Sequence, residues 1–65
     1  MAYHRETHLA QMCAREVDEQ LIMAQAAEGS TRAYHQQQAL KAGGKLAAAL
    51  HALAASAAAA EQVAA

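Results

Sequence analysis

The chain has 65 residues, so it forms at most one domain, and a core of this size usually needs a disulfide, a metal or a second subunit for stability. Lysine and arginine together number 5 against 6 aspartates and glutamates, and this balance argues against general attraction to nucleic acid or to membrane surfaces. Since the sequence contains 1 cysteine, no disulfide can form within the chain; a reduced, cytoplasmic setting is the expectation, with a bridge between two chains as the alternative.

The composition predicts an all-α chain. Most of the apolar residues are alanines, which favour helices, and the β-branched residues that favour strands are sparse. The clearest break is "EGST", residues 28 to 31, where Gly29 suits the left-handed end of one helix and Ser30 or Thr31 suits the N-cap of the next. We therefore expect one domain, residues 1–65, built as a hairpin of antiparallel helices over about 4–28 and 31–64, with the turn at 28–31.

The first predicted helix carries a wide apolar stripe. At 100° per residue the stripe comprises Leu9, Ala10, Cys13, Val17, Leu21, Ala24 and Ala27. The steps of four from Leu9 to Leu21 make it drift around the helix, which indicates contact with more than one neighbour. Cys13 lies within this stripe, so we expect a small buried hydrophobe there and no catalytic thiol.

Two histidines near the start of this helix are the candidates for a metal site. His4 and His8 are spaced i, i+4, so they can chelate zinc, nickel or copper on one helix face, and Met12 could add a soft ligand. However, they lie on the polar side of the helix, and local spacing supplies no third strong ligand. The expectation is that the protein requires neither a metal nor another cofactor.

The start of the second helix is basic and rich in amides. "STRAYHQQQALK", residues 30 to 41, combines Arg32, Tyr34 and Lys41 with three glutamines, a composition that can contact RNA on a helical surface. Cations are too few there for strong binding to phosphates. An exposed helix is the preferred interpretation, and RNA binding is the alternative.

Gly43-Gly44 interrupts the second helix in composition but not in phase. The stripe of this helix comprises Ala39, Gly43, Leu46, Leu50, Leu53, Ala57, Ala60 and Ala64. It keeps alternating steps of three and four through the glycines, and a real break would have no reason to preserve that phase. The pattern favours one continuous helix with Gly43 at a close helix–helix approach, and three helices are the alternative.

The last part of the sequence, "KLAAALHALAASAAAAEQVAA", residues 45 to 65, has the composition of an export signal. An export signal leads its chain, however, and the uncharged run here is about fifteen residues, short of the ~20 that span a bilayer. We therefore expect a packing surface that a second subunit covers, with no membrane as partner.

The span from Glu19 to Leu53, "EQLIMAQAAEGSTRAYHQQQALKAGGKLAAALHAL", resembles small alanine-rich bacterial proteins that are built as helical hairpins. In those proteins a leucine- and alanine-rich helix ends in a short polar turn, and an "R-A-x-H/Y" helix start leads into a second helix of the same kind. The glycine pair and the glutamine run depart from that pattern. The resemblance implies the hairpin and supplies no activity.

The interpretation of the whole sequence is a non-enzymatic hairpin that associates with itself, most simply as a dimeric four-helix bundle. Its role would be that of a small structural, adaptor or protein-interaction subunit, with a metal-binding or RNA-binding hairpin as the alternative. No phosphate-binding loop accompanies Gly43-Gly44-Lys45. The predicted interface between subunits comprises Leu9, Cys13, Val17, Leu21, Ala39, Gly43, Leu46, Leu50, Leu53, Ala57 and Ala60.

Overall fold

The computed structural model describes the backbone of residues 3–64 and the side chains of residues 5–60. Helix α1 runs over Tyr3–Ala26 and helix α2 over Gly29–Ala64, with no strand in this range. The two helices pack against each other along a particle of 54 × 14 × 11 Å. The predicted all-α helical hairpin is therefore confirmed.

The turn between the helices is short and depends on one glycine. Ala27 and Glu28 alone separate the helices, and Gly29 has a φ of 60°, the left-handed conformation that glycine adopts without steric cost. The turn thus comes slightly earlier than the predicted 28–31. Ser30 and Thr31 lie in the first turn of α2 and not before it, because α2 already begins at Gly29.

The side chain of Arg32 holds the end of α1 against the start of α2. Its Nε donates to the carbonyl oxygen of Ala24 at 3.1 Å and to that of Ala27 at 3.0 Å. The last carbonyls of a helix lack partners within the helix and carry partial negative charge, so a guanidinium is well suited to them. A residue of the second helix thereby stabilises the end of the first.

The contact between the helices follows a heptad pattern that we call the inner seam. Its residues recur at alternating steps of three and four, the spacing of coiled coils. In α1 they are Glu6, Ala10, Cys13, Val17, Gln20 and Ala24, with Ala27 in the turn continuing the pattern, and in α2 they are His35, Ala39, Ala42, Leu46, Ala49 and Leu53, with Ser56 continuing the pattern; all are buried or half-buried. Its most buried members are alanines and one cysteine, namely Ala10, Cys13, Ala24, Ala39, Ala42 and Ala49. Such small side chains permit close approach of the helices but bury little apolar area.

A polar contact within the inner seam fixes the register. Gln20 donates from Nε2 to Oε1 of Glu16 at 3.0 Å, and its own Oε1 lies 2.8 Å from Nδ1 of His35. Since the amide oxygen can only accept, the His35 ring must carry its proton on Nδ1 to form this bond. A slip of one residue along either helix would break this contact, so Gln20 and His35 specify one alignment among the many that an alanine seam allows.

Helix α2 is continuous through Gly43 and Gly44, so the structure has two helices and not three. A Cβ atom built on either glycine meets nothing within 4 Å. The prediction of one continuous helix, made from the preserved phase of the apolar stripe, is therefore confirmed. The close approach that we predicted at Gly43 is not made within one chain, because nothing lies against it there.

Replacing Gly44 by alanine is expected to raise the melting temperature. The position is helical and exposed, and the new methyl group meets no neighbour, so the gain in helix propensity, up to about 1 kcal/mol, is retained. Gly29→Ala is the matched opposite case, because alanine is strained at a φ of 60° and should lower the melting temperature. The melting temperatures of both variants are measured by thermal unfolding followed by circular dichroism. A Gly44→Ala variant with a lower melting temperature than the native protein would contradict the helical geometry at this site.

The two helices differ in length, so α2 reaches beyond the described part of α1. α1 has 24 residues and α2 has 36, so α2 is longer by about 18 Å. Counting outward from the Gln20–His35 contact places Tyr3, where α1 begins, opposite Ala52. The segment 54–60, rich in alanine and largely exposed, therefore extends beyond the described part of α1.

Candidate interaction surface

Most of the larger apolar side chains within residues 5–60 lie outside the inner seam, which holds only Val17, Leu46 and Leu53 among them. Eight side chains of this described range are exposed: Leu9, Met12, Leu21, Ile22, Met23, Tyr34, Leu40 and Leu50. The extreme case is Leu40, which is 72% exposed, whereas Ala49 in the inner seam is 3% exposed. The hairpin buries mainly alanines between its helices and leaves these eight larger side chains exposed. It therefore presents apolar surface that packing within one chain does not cover.

Leu9 and Leu21, both predicted interface residues, flank the inner seam on opposite sides. Leu9 lines a cleft of about 400 Å³, which we call the lysine cleft, and Leu21 lines one of about 460 Å³ near the turn, which we call the turn cleft. The lysine cleft is lined by Leu9, Met12, Cys13, Glu16, Gln38, Lys41, Ala42 and Lys45. The turn cleft is lined by Leu21, Ala24, Gln25, Arg32 and Gln36. The drift of the α1 stripe therefore corresponds to two open flanks beside a narrow seam.

Cys13 and Val17, the other interface residues predicted in α1, belong to the inner seam. Cys13 is 9% exposed and carries a free thiol, and Val17 is half-buried. Packing within the chain accounts for the burial of both residues. The small buried hydrophobe expected at Cys13 is what the structure shows.

The stripe predicted on α2 separates into two adjacent surfaces. Ala39, Leu46 and Leu53 are buried or half-buried in the inner seam, so α1 of the same chain covers part of what we predicted for a second subunit. Leu50 and Ala57 point away from α1 and are exposed. Ala60 keeps the phase of the inner seam but is exposed in the segment that extends beyond the described part of α1, and the side chain of Ala64 lies outside the described residues.

The second surface of α2 follows a heptad pattern of its own, which we call the outer seam. It comprises Gln36, Leu40, Gly43, Ala47, Leu50, Ala54 and Ala57, at alternating steps of four and three. Apart from the half-buried Gly43, all of its residues are exposed. Leu40 and Ala47 were not among the predicted interface residues, although the alternating steps of four and three through Gly43 indicate both of them.

The basic residues of α2 do not form a single face. Arg32 lies at the turn cleft, with its Nε directed at backbone carbonyl oxygens. Lys41 and Lys45 line the lysine cleft on the other side of the inner seam, where Glu16 provides an opposite charge. A concentrated basic patch for a phosphate backbone would need these charges together.

No metal centre forms among the described side chains. His8 is exposed beside Gln11, Met12 and Arg15, and the side chain of His4 lies outside the described residues. Within residues 5–60 no three histidine, cysteine, aspartate or glutamate side chains come close enough together to hold a metal ion. Among the described residues, the fold therefore gathers no group of histidine, cysteine, aspartate or glutamate ligands around His8, although Met12 lies beside it.

Removing His4 and His8 together is expected to leave the stability unchanged in the presence of zinc or nickel. A pair of histidines on an exposed helix end binds these ions weakly, and a ligand that binds the folded state weakly adds little stability. Thermal melts of the native chain and of the His4→Ala/His8→Ala variant, each with metal and with chelator, test this. Stoichiometric metal in protein purified without a tag, lost in the variant together with several degrees of melting temperature, would contradict it.

Across the described residues, neither helix combines the length and the apolar character that crossing a bilayer requires. No protein-family model, curated protein or solved structure matches the chain. The resemblance to alanine-rich bacterial hairpins therefore stays a prediction.

Proposed function

We propose that the protein is a non-enzymatic structural or adaptor subunit that works as a self-associated helical hairpin, most simply a homodimer. The observation that supports this is the inverted distribution of apolar groups, with alanine buried and Leu40, Leu50 and other large side chains exposed. Such surfaces typically mark contacts with another protein. The apolar surface that one chain leaves open would become the core of the assembly.

The energetics of one hairpin favour this proposal. A buried leucine contributes roughly 1.5–3 kcal/mol and a methyl group far less, whereas ordering each residue costs on the order of 1.5 kcal/mol. The inner seam buries mainly methyl groups. In addition, Oε2 of Glu6 is buried there without a hydrogen-bond partner among the described residues, so this polar atom does not stabilise the hairpin. A second copy would supply the apolar burial that a single chain lacks.

The proposal includes a location in the cytoplasm. The sole cysteine, Cys13, is unpaired and buried in the inner seam, and a reducing compartment would keep it as a thiol.

The adaptor role requires a different partner. If another protein docks on the same exposed leucines, the chain acts as an adaptor and not as a homodimer.

The test is the mass of the protein in solution over a wide range of concentration. Sedimentation equilibrium should give twice the mass of one chain, and the melting temperature should rise with concentration because association stabilises the folded state. A folded chain that stays monomeric at the highest attainable concentration, with a melting temperature independent of concentration, would refute self-association.

A further inference from the structure

We infer that the outer seam of α2 pairs antiparallel with the outer seam of a second copy, around a two-fold axis between Gly43 and Ala47. This inference rests on the proposed function and makes it specific, because it names the surface, the direction and the register of the contact. It assigns no role to the lysine cleft on the opposite side of the hairpin.

The order of side chains along the outer seam is self-complementary. From Leu40 through Gly43 and Ala47 to Leu50 it reads large, small, small, large. In an antiparallel pair centred between Gly43 and Ala47, Leu40 of each copy faces Leu50 of the other. A two-fold interface requires that one patch complement itself in this way.

The centre of the seam suits a close approach. Apart from its own stretch of helix, nothing lies within 4 Å of the position that a Cβ would take on Gly43, and Ala47 and Ala54 are exposed. Small residues at the centre let two helix backbones come near each other, while the flanking leucines fill the space on either side. The glycine that costs helix propensity would thus gain a packing role in the dimer.

The angle between the two seams of α2 fits a four-helix arrangement. At 100° per residue, the outer seam lies about 100° around the helix axis from the inner seam. A helix at the corner of a square bundle contacts two neighbours at about this angle. With α1 on the inner seam, the outer seam remains for α2 of the second copy.

In the same register, the end of α2 that extends beyond α1 in its own chain packs against the second copy. With Leu40 facing Leu50, Ala54 of each copy faces Gln36 of the other, and Ala57 faces Ala33. Gln36 lines the turn cleft together with Leu21 and Arg32. The alanine-rich segment 54–60, which reaches beyond α1 in its own chain, would therefore lie along the edge of the turn cleft of the second copy.

Disulfide trapping between two different variants tests the register. Gln36→Cys and Ala54→Cys are made separately in a Cys13→Ala background; Gln36 and Ala54 are both exposed, so these changes should not disturb folding. After the two proteins are mixed, refolded together and oxidised, a covalent dimer should form. Either variant oxidised alone should not form it, because equivalent positions would be about 27 Å apart along the helix.

Gln36→Cys mixed with Ala48→Cys is the control, since Ala48 is exposed away from both seams. A disulfide in Gln36→Cys protein alone would indicate a parallel pair and overturn the inference. A protein that sediments as a dimer yet gives no Gln36–Ala54 disulfide would also overturn it while leaving the proposed function intact. A protein that sediments as a monomer would overturn both.

Discussion

Replacing Leu50 by aspartate is expected to convert the protein to monomers. Leu50 is 51% exposed in the hairpin, so association removes about half of its side chain from water, worth about 1 kcal/mol in each copy. A carboxylate in the same place would have to be buried without a partner, which costs several kcal/mol more. The dimer dissociation constant should rise at least about 100-fold, measured by sedimentation equilibrium.

The matched control is Leu9→Asp. The exposed fraction of Leu9 is 50%, against 51% for Leu50, so the two leucines are equally exposed. However, Leu9 lines the lysine cleft on the other flank of the hairpin. If the outer seam carries the contact, Leu9→Asp should keep the mass of the native protein. Equal dissociation in both variants would mean that association uses both flanks, and an unchanged mass in Leu50→Asp would exclude the outer seam.

Much of the backbone could be predicted from the sequence. Composition indicated helices, Gly29 indicated the reversal, and the phase of the stripe through Gly43 and Gly44 indicated one continuous helix. Each of these follows from local properties, namely helix propensity, the left-handed tolerance of glycine and side-chain periodicity. The turn was predicted slightly late because Ser and Thr are preferred N-cap residues, whereas α2 already begins at Gly29, before Ser30 and Thr31.

Which apolar residues of α2 face α1 and which stay exposed could not be predicted in the same way. The sequence shows that Leu46 and Leu50 lie on one broad stripe, but which of them faces α1 depends on the rotation of α2 about its axis. That rotation is determined by contacts distant in sequence, among them the bond between Gln20 and His35. Apolar size was also misleading, because the most buried of the described residues of α2 is Ala49 and not a leucine.

The assignment of alanine to the inside has a physical consequence for how the chain gains stability. Alanine contributes through helix propensity and close packing, neither of which supplies much apolar burial. Leucine contributes through burial of its side chain, but Leu40 and Leu50 are largely exposed in the single hairpin. If the proposed association holds, the two kinds of residue stabilise different levels of structure, so that substitutions in the inner seam and in the outer seam should be separable by experiment.

Replacing Ala39 by leucine is expected to destabilise the hairpin itself. Ala39 is 8% exposed in the middle of the inner seam and lines neither the lysine cleft nor the turn cleft, so a larger side chain there must displace its neighbours at a cost of about 1–3 kcal/mol. Ala48→Leu, exposed on the same helix, introduces the same side chain and should be nearly neutral. Thermal melts at low concentration, where association contributes least, should show a loss in the first variant alone. A melting temperature for Ala39→Leu equal to or above that of the native protein would show that the inner seam has room for leucine, and the tight packing of the two helices at this position would be wrong.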